Sequence, residues 1–113
     1  MRLRSDIWVQ AYLRQIQSKG AFGYVLRRGD PDAGAILIRV SSKSGTSLYI
    51  PTQGIDLDLN DRLWRTHISA VEGSEAKIDA YSDRQIFIDP DIWIVEIEDR
   101  EGRNFLQDSL EDD

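Results

Sequence analysis

Apolar residues at the start of the chain recur at helical spacing. Ile7, Ala11 and Ile16, with Trp8 and Tyr12 alongside, make a broad face, and Arg4, Gln10, Arg14 and Gln17 cover the remainder. This pattern predicts a helix over residues 6–18, with Ser5 or Asp6 placed to accept a bond from the first free amides and Gly20 placed to end it. The period then changes to two. AFGYVLRR (21–28), GAILIRVS (34–41) and TSLYI (46–50) are short β-branched and aromatic runs separated by the turn sequences GDPDAG and SKSG, which reads as an antiparallel meander. Residues 51–62 have no clean period and read as a surface connection.

LWRTHISAV (63–71) alternates again, with Trp64, Thr66, Ile68 and Ala70 on one side and Arg65, His67 and Ser69 on the other. A second helix is expected from Ser74 to about Ile86, with Ser74 as its N-cap and Glu75 favourably placed against the helix dipole. Pro90 forces its end. In IDPDIWIVEIEDREG (88–102), Trp93, Val95 and Ile97 point one way and Ile92 and Ile94 the other, so this strand is covered on both faces and belongs in the middle of a sheet. DREG then makes a turn, and RNFL (103–106) is expected to return as a short partner strand. The resulting expectation is an α+β fold: an antiparallel, meander-like sheet of about five to six strands packed against two helices, in the order α-β-β-β-β-α-β-β.

Composition narrows the picture. At 113 residues and 41% hydrophobic content, the chain suits one domain, placed at residues 1–107, with 108–113 as an acidic, frayed tail. The absence of cysteine removes disulfides, thiolate catalysis and Cys-based metal sites, and His67 is the only histidine. The N-terminal stretch interleaves its apolar residues with Gln and Arg instead of forming the apolar run of a signal peptide, and no window approaches a membrane span. A cytoplasmic location is the expectation. A net charge of −6 argues against nucleic acid as a partner, because phosphate binding draws on surplus Lys and Arg.

Several stretches imitate chemical motifs. DLDLND (56–61) begins like a calcium loop, but the sixth position, which needs glycine, holds Asp61, and the twelfth, which needs a bidentate glutamate, holds His67. GDPDAGAI has the glycine spacing of a phosphate loop without its Lys or Ser/Thr, and its two aspartates would repel phosphate; a hairpin turn is the better reading. Ser74 and Lys77 have the spacing of a serine nucleophile and its lysine base, but the serine stands at a helix start. Trp8, Trp64 and Trp93 lie on faces assigned to the core.

Two candidate clusters remain. Arg39, Arg65 and His67 would form a local positive patch for a small anion or an acidic partner segment if the fold brings them together. Glu96 and Glu98 share one face of the strand at 93–98 and would support acid-base or metal chemistry only if both were buried and close.

AYSDRQIFIDPDIWIVEIEDREGRNFL (80–106), together with LRSDIWVQAYLRQIQSKGAFGYVLRRGDPDAGAILIRV (3–40), resembles the small bacterial proteins grouped as domain of unknown function 1491. The helix followed by DPDIWIVEIED is the most specific part. The resemblance implies a bacterial, cytoplasmic, single-domain protein and supplies no catalytic, cofactor-binding or metal-binding residue and no cofactor. The functional expectation is therefore a non-enzymatic module that binds a protein partner or itself as a homodimer, away from membranes, through a sheet edge such as 46–50 or 103–106 or through the face carrying Arg65 and His67. The alternative is a small ligand-binding protein or enzyme using the Arg/His patch or the Glu96/Glu98 carboxylates.

Overall fold

The computed structural model describes residues 3–52 and 62–111; the calcium-like stretch 56–61 lies outside them. Helix α1 (Ser5–Ser18) is followed by strands β1 (Phe22–Arg27), β2 (Ile36–Ser42), β3 (Gly45–Pro51) and β4 (Trp64–Ile68). Helix α2 (Ser74–Ile88), strand β5 (Trp93–Glu98) and a short 3-10 turn (Gln107–Ser109) complete the order. No described helix is long and apolar enough to cross a membrane.

Two helices and an α+β sheet are present, but the sheet is mixed. Its order is β1-β5-β2-β3-β4. Of the meander expected from 21–28, 34–41 and 46–50, the β2–β3 pairing forms and β4 continues it, whereas β5 inserts between β1 and β2, antiparallel to the first and parallel to the second. The cause is legible in β5 itself. Five of its six residues are buried, so it must have a strand on each side and cover on each face. Alternation of the pairings makes β4 and β5 run the same way, and α2 is consequently a crossover helix passing over the sheet between them.

Two further expectations change as a result. GDPDAG does not close a hairpin, since β1 and β2 are not neighbours; it wraps the start of β5, where the Asp30 amide donates to the Asp91 carbonyl at 2.9 Å. A Cβ on Gly34 would stand 2.3 Å from that carbonyl oxygen, so the close approach requires glycine. Residues 103–106 form no strand. Phe105 and Gln107 adopt left-handed backbone (φ 59° and 52°), and the segment instead crosses to α1, where the Tyr12 hydroxyl donates to the Asn104 carbonyl and Leu106 enters the core. The acidic end is tied down as far as residue 111: Leu110 bridges to Trp64, and the Glu111 amide donates to the Trp64 carbonyl.

Because side chains alternate, the sheet carries two cores. On one face, Ile36, Ile38, Val40, Trp64, Trp93, Val95 and Ile97 meet Val9, Tyr12 and Ile16 of α1. On the other, Leu37, Leu48, Ile50, Ile92 and Ile94 meet Ile78 of α2. The buried face of α1 runs through Ser5, Val9, Tyr12 and Ile16, rotated from the expected face so that Ile7 and Ala11 lie exposed. Ser5 belongs to this face because it is inside the helix; its hydroxyl donates to the Gly34 carbonyl (2.6 Å), and the carbonyls of Pro31 and Asp32 receive the amides of Asp6 and Ser5. Gly20 (φ 85°) ends α1 as its conformational freedom predicts.

Ser74 is no cap either. The N-cap is Gly73, and the wholly buried Ser74 hydroxyl donates to the Thr46 carbonyl (2.7 Å) while accepting the Thr46 amide (3.2 Å), pinning the start of α2 to β3. That occupied hydroxyl leaves the serine-lysine reading without a free nucleophile.

Candidate functional site

Arg39 lies on β2 and points to the α2 side of the sheet, beside Glu96 of β5 and Leu48 of β3. Both Arg39 and Glu96 are buried, at 7% and 6% exposure. The guanidinium Nε stands 2.9 Å from Glu96 Oε1, Nη1 donates to Asp79 Oδ1 at 2.7 Å, and Nη2 reaches Glu75 Oε1 at 3.5 Å. Glu75 and Asp79 are one helical turn apart on α2, so the crossover helix supplies two carboxylates to a cation that β2 holds. Burial pushes the Glu96 carboxyl above the usual glutamate range, more than Arg39 draws it back; Glu75, Glu98 and Asp79 push the same way as burial.

The three members of the positive patch separate accordingly. Arg39 is enclosed by carboxylates, with Leu48 and then Ile68 following it across the sheet. Arg65 and His67 stay exposed on β4, close enough that Arg65 adds to burial in lowering the His67 pKa. The His67 ring packs against Tyr81 of α2, ring centroids 4.5 Å apart. Arg65 and Tyr81 also line an open cleft of about 880 Å³ between α2 and the sheet, floored by Leu37, Ile50 and Ile92. Glu96 and Glu98 divide too: Glu96 is buried on Arg39, and Glu98 is exposed. Among the described residues, no three His, Asp or Glu side chains are grouped so as to hold a metal ion.

The strand edges are not where the sequence placed them. Residues 46–50 belong to β3, which is paired on both sides, and 103–106 is not a strand. The outermost strands are β4, whose start is covered by the Trp64–Leu110 bridge, and β1, which among the described residues pairs on one side only. Large apolar side chains concentrate on β1: Phe22, Tyr24, Val25 and Leu26 are 55%, 37%, 37% and 49% exposed. Phe22 and Tyr24 lie on the same face as Glu98 and Glu96, their respective partners in register, with the two rings 5.6 Å apart.

Sequence reasoning missed β1 because its alternating pattern resembles that of any half-buried strand. The overlooked signal was its neighbour's composition: a strand as apolar as β5 needs a partner on each side, and inserting it beside β2 leaves β1 at the edge. Arg39 carried a signal of its own, since an arginine inside the apolar run AILIRV requires carboxylate partners, and Glu75 with Asp79 offered a pair at helical spacing.

A mixed five-stranded sheet with one helix on each face, one apolar edge and a buried arginine-carboxylate cluster defines a small α+β protein class. The chain belongs to the family described as "Protein of unknown function (DUF1491)", whose model matches residues 3–107. It is similar to a DUF1491 family protein from Caulobacter crescentus CB15, whose crystal structure shares 39% identity over 99% of this chain and 100% of that one, with a TM-score of 0.80. An NMR structure of a DUF1491 family protein from the same organism gives 40% identity, 99% coverage of each chain and a TM-score of 0.81. Protein Atu0922 from A. tumefaciens is 34% identical over 88% of this chain and 87% of its own, at a TM-score of 0.76. The family is thus a bacterial one. No functionally curated protein matches the chain.

Proposed function

We propose that this protein is a non-enzymatic interaction module that accepts a further strand along β1. The observation that carries the reading is the outer edge of β1, unpaired among the described residues, with Phe22, Tyr24, Val25 and Leu26 exposed on it. An edge strand offers a row of free amides and carbonyls, and proteins that do not use such an edge usually blunt it with charge or cover it. Here the residues from Phe22 to Leu26 carry no charge, and only the irregular register between Val25 and Arg27 interrupts the edge. The test is retention of a partner or a second copy by the tagged protein, with Tyr24→Lys and Val25→Lys as variants. Loss of the bound species at an unchanged melting temperature supports the reading, and undiminished retention by both variants defeats it.

A second reading rests on the cleft beside α2. Its apolar floor and its polar rim of Arg65, Tyr81, Gln85 and Asp89 suit a small amphipathic ligand. Thermal shift against a metabolite panel, repeated with Arg65→Ala, tests it; a stabilising compound whose effect is the same in the variant would count against this cleft.

A further inference from the structure

The surroundings of β1 are lopsided in charge, and this bears on what the edge accepts. On the α2 side of the sheet, Phe22 and Tyr24 stand beside Glu98 and Glu96, and α2 contributes Glu75 and Asp79. The side chains of Glu75 and Asp79 are 68% and 57% exposed, and Glu98 is exposed as well. The cation held within this group is Arg39, whose side chain is 9% exposed and already engaged with three of the carboxylates. A strand added at β1 therefore projects every second side chain onto two exposed aromatic rings bordered by uncompensated negative charge.

From this geometry we infer that the natural occupant of the β1 edge is an extended segment of a partner protein in which lysine or arginine alternates with apolar residues. This rests on the reading of β1 as a docking edge and goes further by assigning the partner's chemistry. Cations on the α2-facing side lie over the faces of Phe22 and Tyr24 and pair with Glu98, combining ring attraction with charge complementarity. The alternate residues face the α1 side, where half-exposed Val25 presents an apolar surface.

The length of the segment and the placement of its charge are also constrained. Regular pairing of β1 runs from Phe22 to Val25 and shifts before Arg27, so the added ladder is short. Beyond the shift, Arg27 donates to the Pro90 carbonyl and Arg28 sits 5.0 Å over the Trp93 ring, so two arginines follow the regular part of the strand, whereas Glu98 lies opposite Phe22. The partner's cations consequently belong at the Phe22 end. A second copy answers this surface poorly: its β1 brings Phe22 and Tyr24 but no lysine, its Arg27 is already bound to Pro90, and each chain carries a net charge of −6.

The test uses the full chain and two short blocked peptides, one alternating lysine with valine and one alternating glutamate with valine, read by amide exchange and chemical shift at residues 22–25. The lysine peptide is expected to slow exchange along β1, with binding weakened about tenfold in Glu98→Lys and further by added salt. The glutamate peptide is expected to leave β1 unchanged. Equal binding of both peptides, or lysine-peptide binding indifferent to Glu98→Lys, overturns the assignment of a basic partner while β1 docking survives. A chain that is already dimeric, with β1 amides protected before any peptide is added, likewise overturns it in favour of a second copy. If neither peptide nor self-association ever protects β1, both this inference and the docking edge fall.

Discussion

Replacing Arg39 by alanine removes the one cation that, among the described residues, pairs with buried Glu96. Breaking a buried ion pair by deleting one partner typically costs about 3–5 kcal/mol, because the remaining charge stays desolvated and unpaired. The contacts to Glu75 and Asp79, both largely exposed, are each worth at most about 1 kcal/mol, so nearly all of the loss belongs to Glu96. For a chain of this size each kcal/mol moves Tm by about 4 °C, giving an expected fall on the order of 12–20 °C. The pH dependence is diagnostic. In the intact protein Glu96 already titrates above the usual glutamate range, and removing Arg39 takes away its main downward influence. A carboxyl with a raised folded pKa binds its proton earlier in the folded state than in the unfolded one. Stability therefore increases as pH falls from a raised folded value to the ordinary one; because Glu96 is raised further still in Arg39→Ala, the variant begins to gain first, and its deficit shrinks as pH falls from the variant's Glu96 value to that of the intact protein. Urea denaturation at a series of pH values measures this, with Arg39→Met combined with Glu96→Leu as the control, expected to stay within about 1–2 kcal/mol of the parent. A loss below about 1 kcal/mol in Arg39→Ala, or a loss that does not change with pH, would refute the assignment of Glu96 as a buried charge dependent on Arg39.

Ser74→Ala leaves the buried amide and carbonyl of Thr46 without their side-chain partner and is expected to cost about 1–3 kcal/mol by denaturation, whereas an ordinary exposed serine would cost almost nothing. Gly34→Ala drives a methyl group into the Asp91 carbonyl and should destabilise by about 1–3 kcal/mol, with chemical-shift changes centred on the start of β5; shifts confined to residues 33–35 would contradict the close approach. Asp99 accepts the Arg103 guanidinium and backbone amide, chiefly the former, which holds its carboxyl below the usual aspartate range. Its contribution is complete above the ordinary aspartate value and is lost as pH falls through the lowered one; Asp99→Asn should flatten that part of the acid limb, and an unchanged limb would show that Asp99 does not cause it.

How far the sequence could be read depended on whether a feature was local. Gly20 ended α1, Pro90 ended α2, and the strands at 36–42, 45–51 and 93–98 fell close to where period and turn residues put them. The errors concern which strands are neighbours. Burial on both faces correctly put β5 inside the sheet, but the same fact separated β1 from β2, made GDPDAG a loop around β5 and turned α2 into a crossover. Those consequences depend on long-range pairing, on which the period of a single strand is silent. RNFL failed for another reason: its apolar residues are buried through a left-handed turn at Phe105 against α1, which alternation cannot distinguish from strand pairing.

The crossover also governs the candidate sites. By lying over the sheet between β4 and β5, α2 sends Glu75 and Asp79 to one flank, where they close over Arg39, and Tyr81 and Gln85 to the other, where they line the cleft with Arg65. Residues that look like one positive patch in the sequence are thereby divided: Arg39 becomes the centre of an acidic group beside β1, while Arg65 and His67 remain on the β4 side. The reversal of charge around Arg39 is what gives the β1 edge a preference for a cationic segment. A reading built on Arg39 as a free cation would have predicted an acidic partner for the same protein. The two predictions differ in the sign of the salt-sensitive partner, and the paired lysine and glutamate peptides separate them in one experiment.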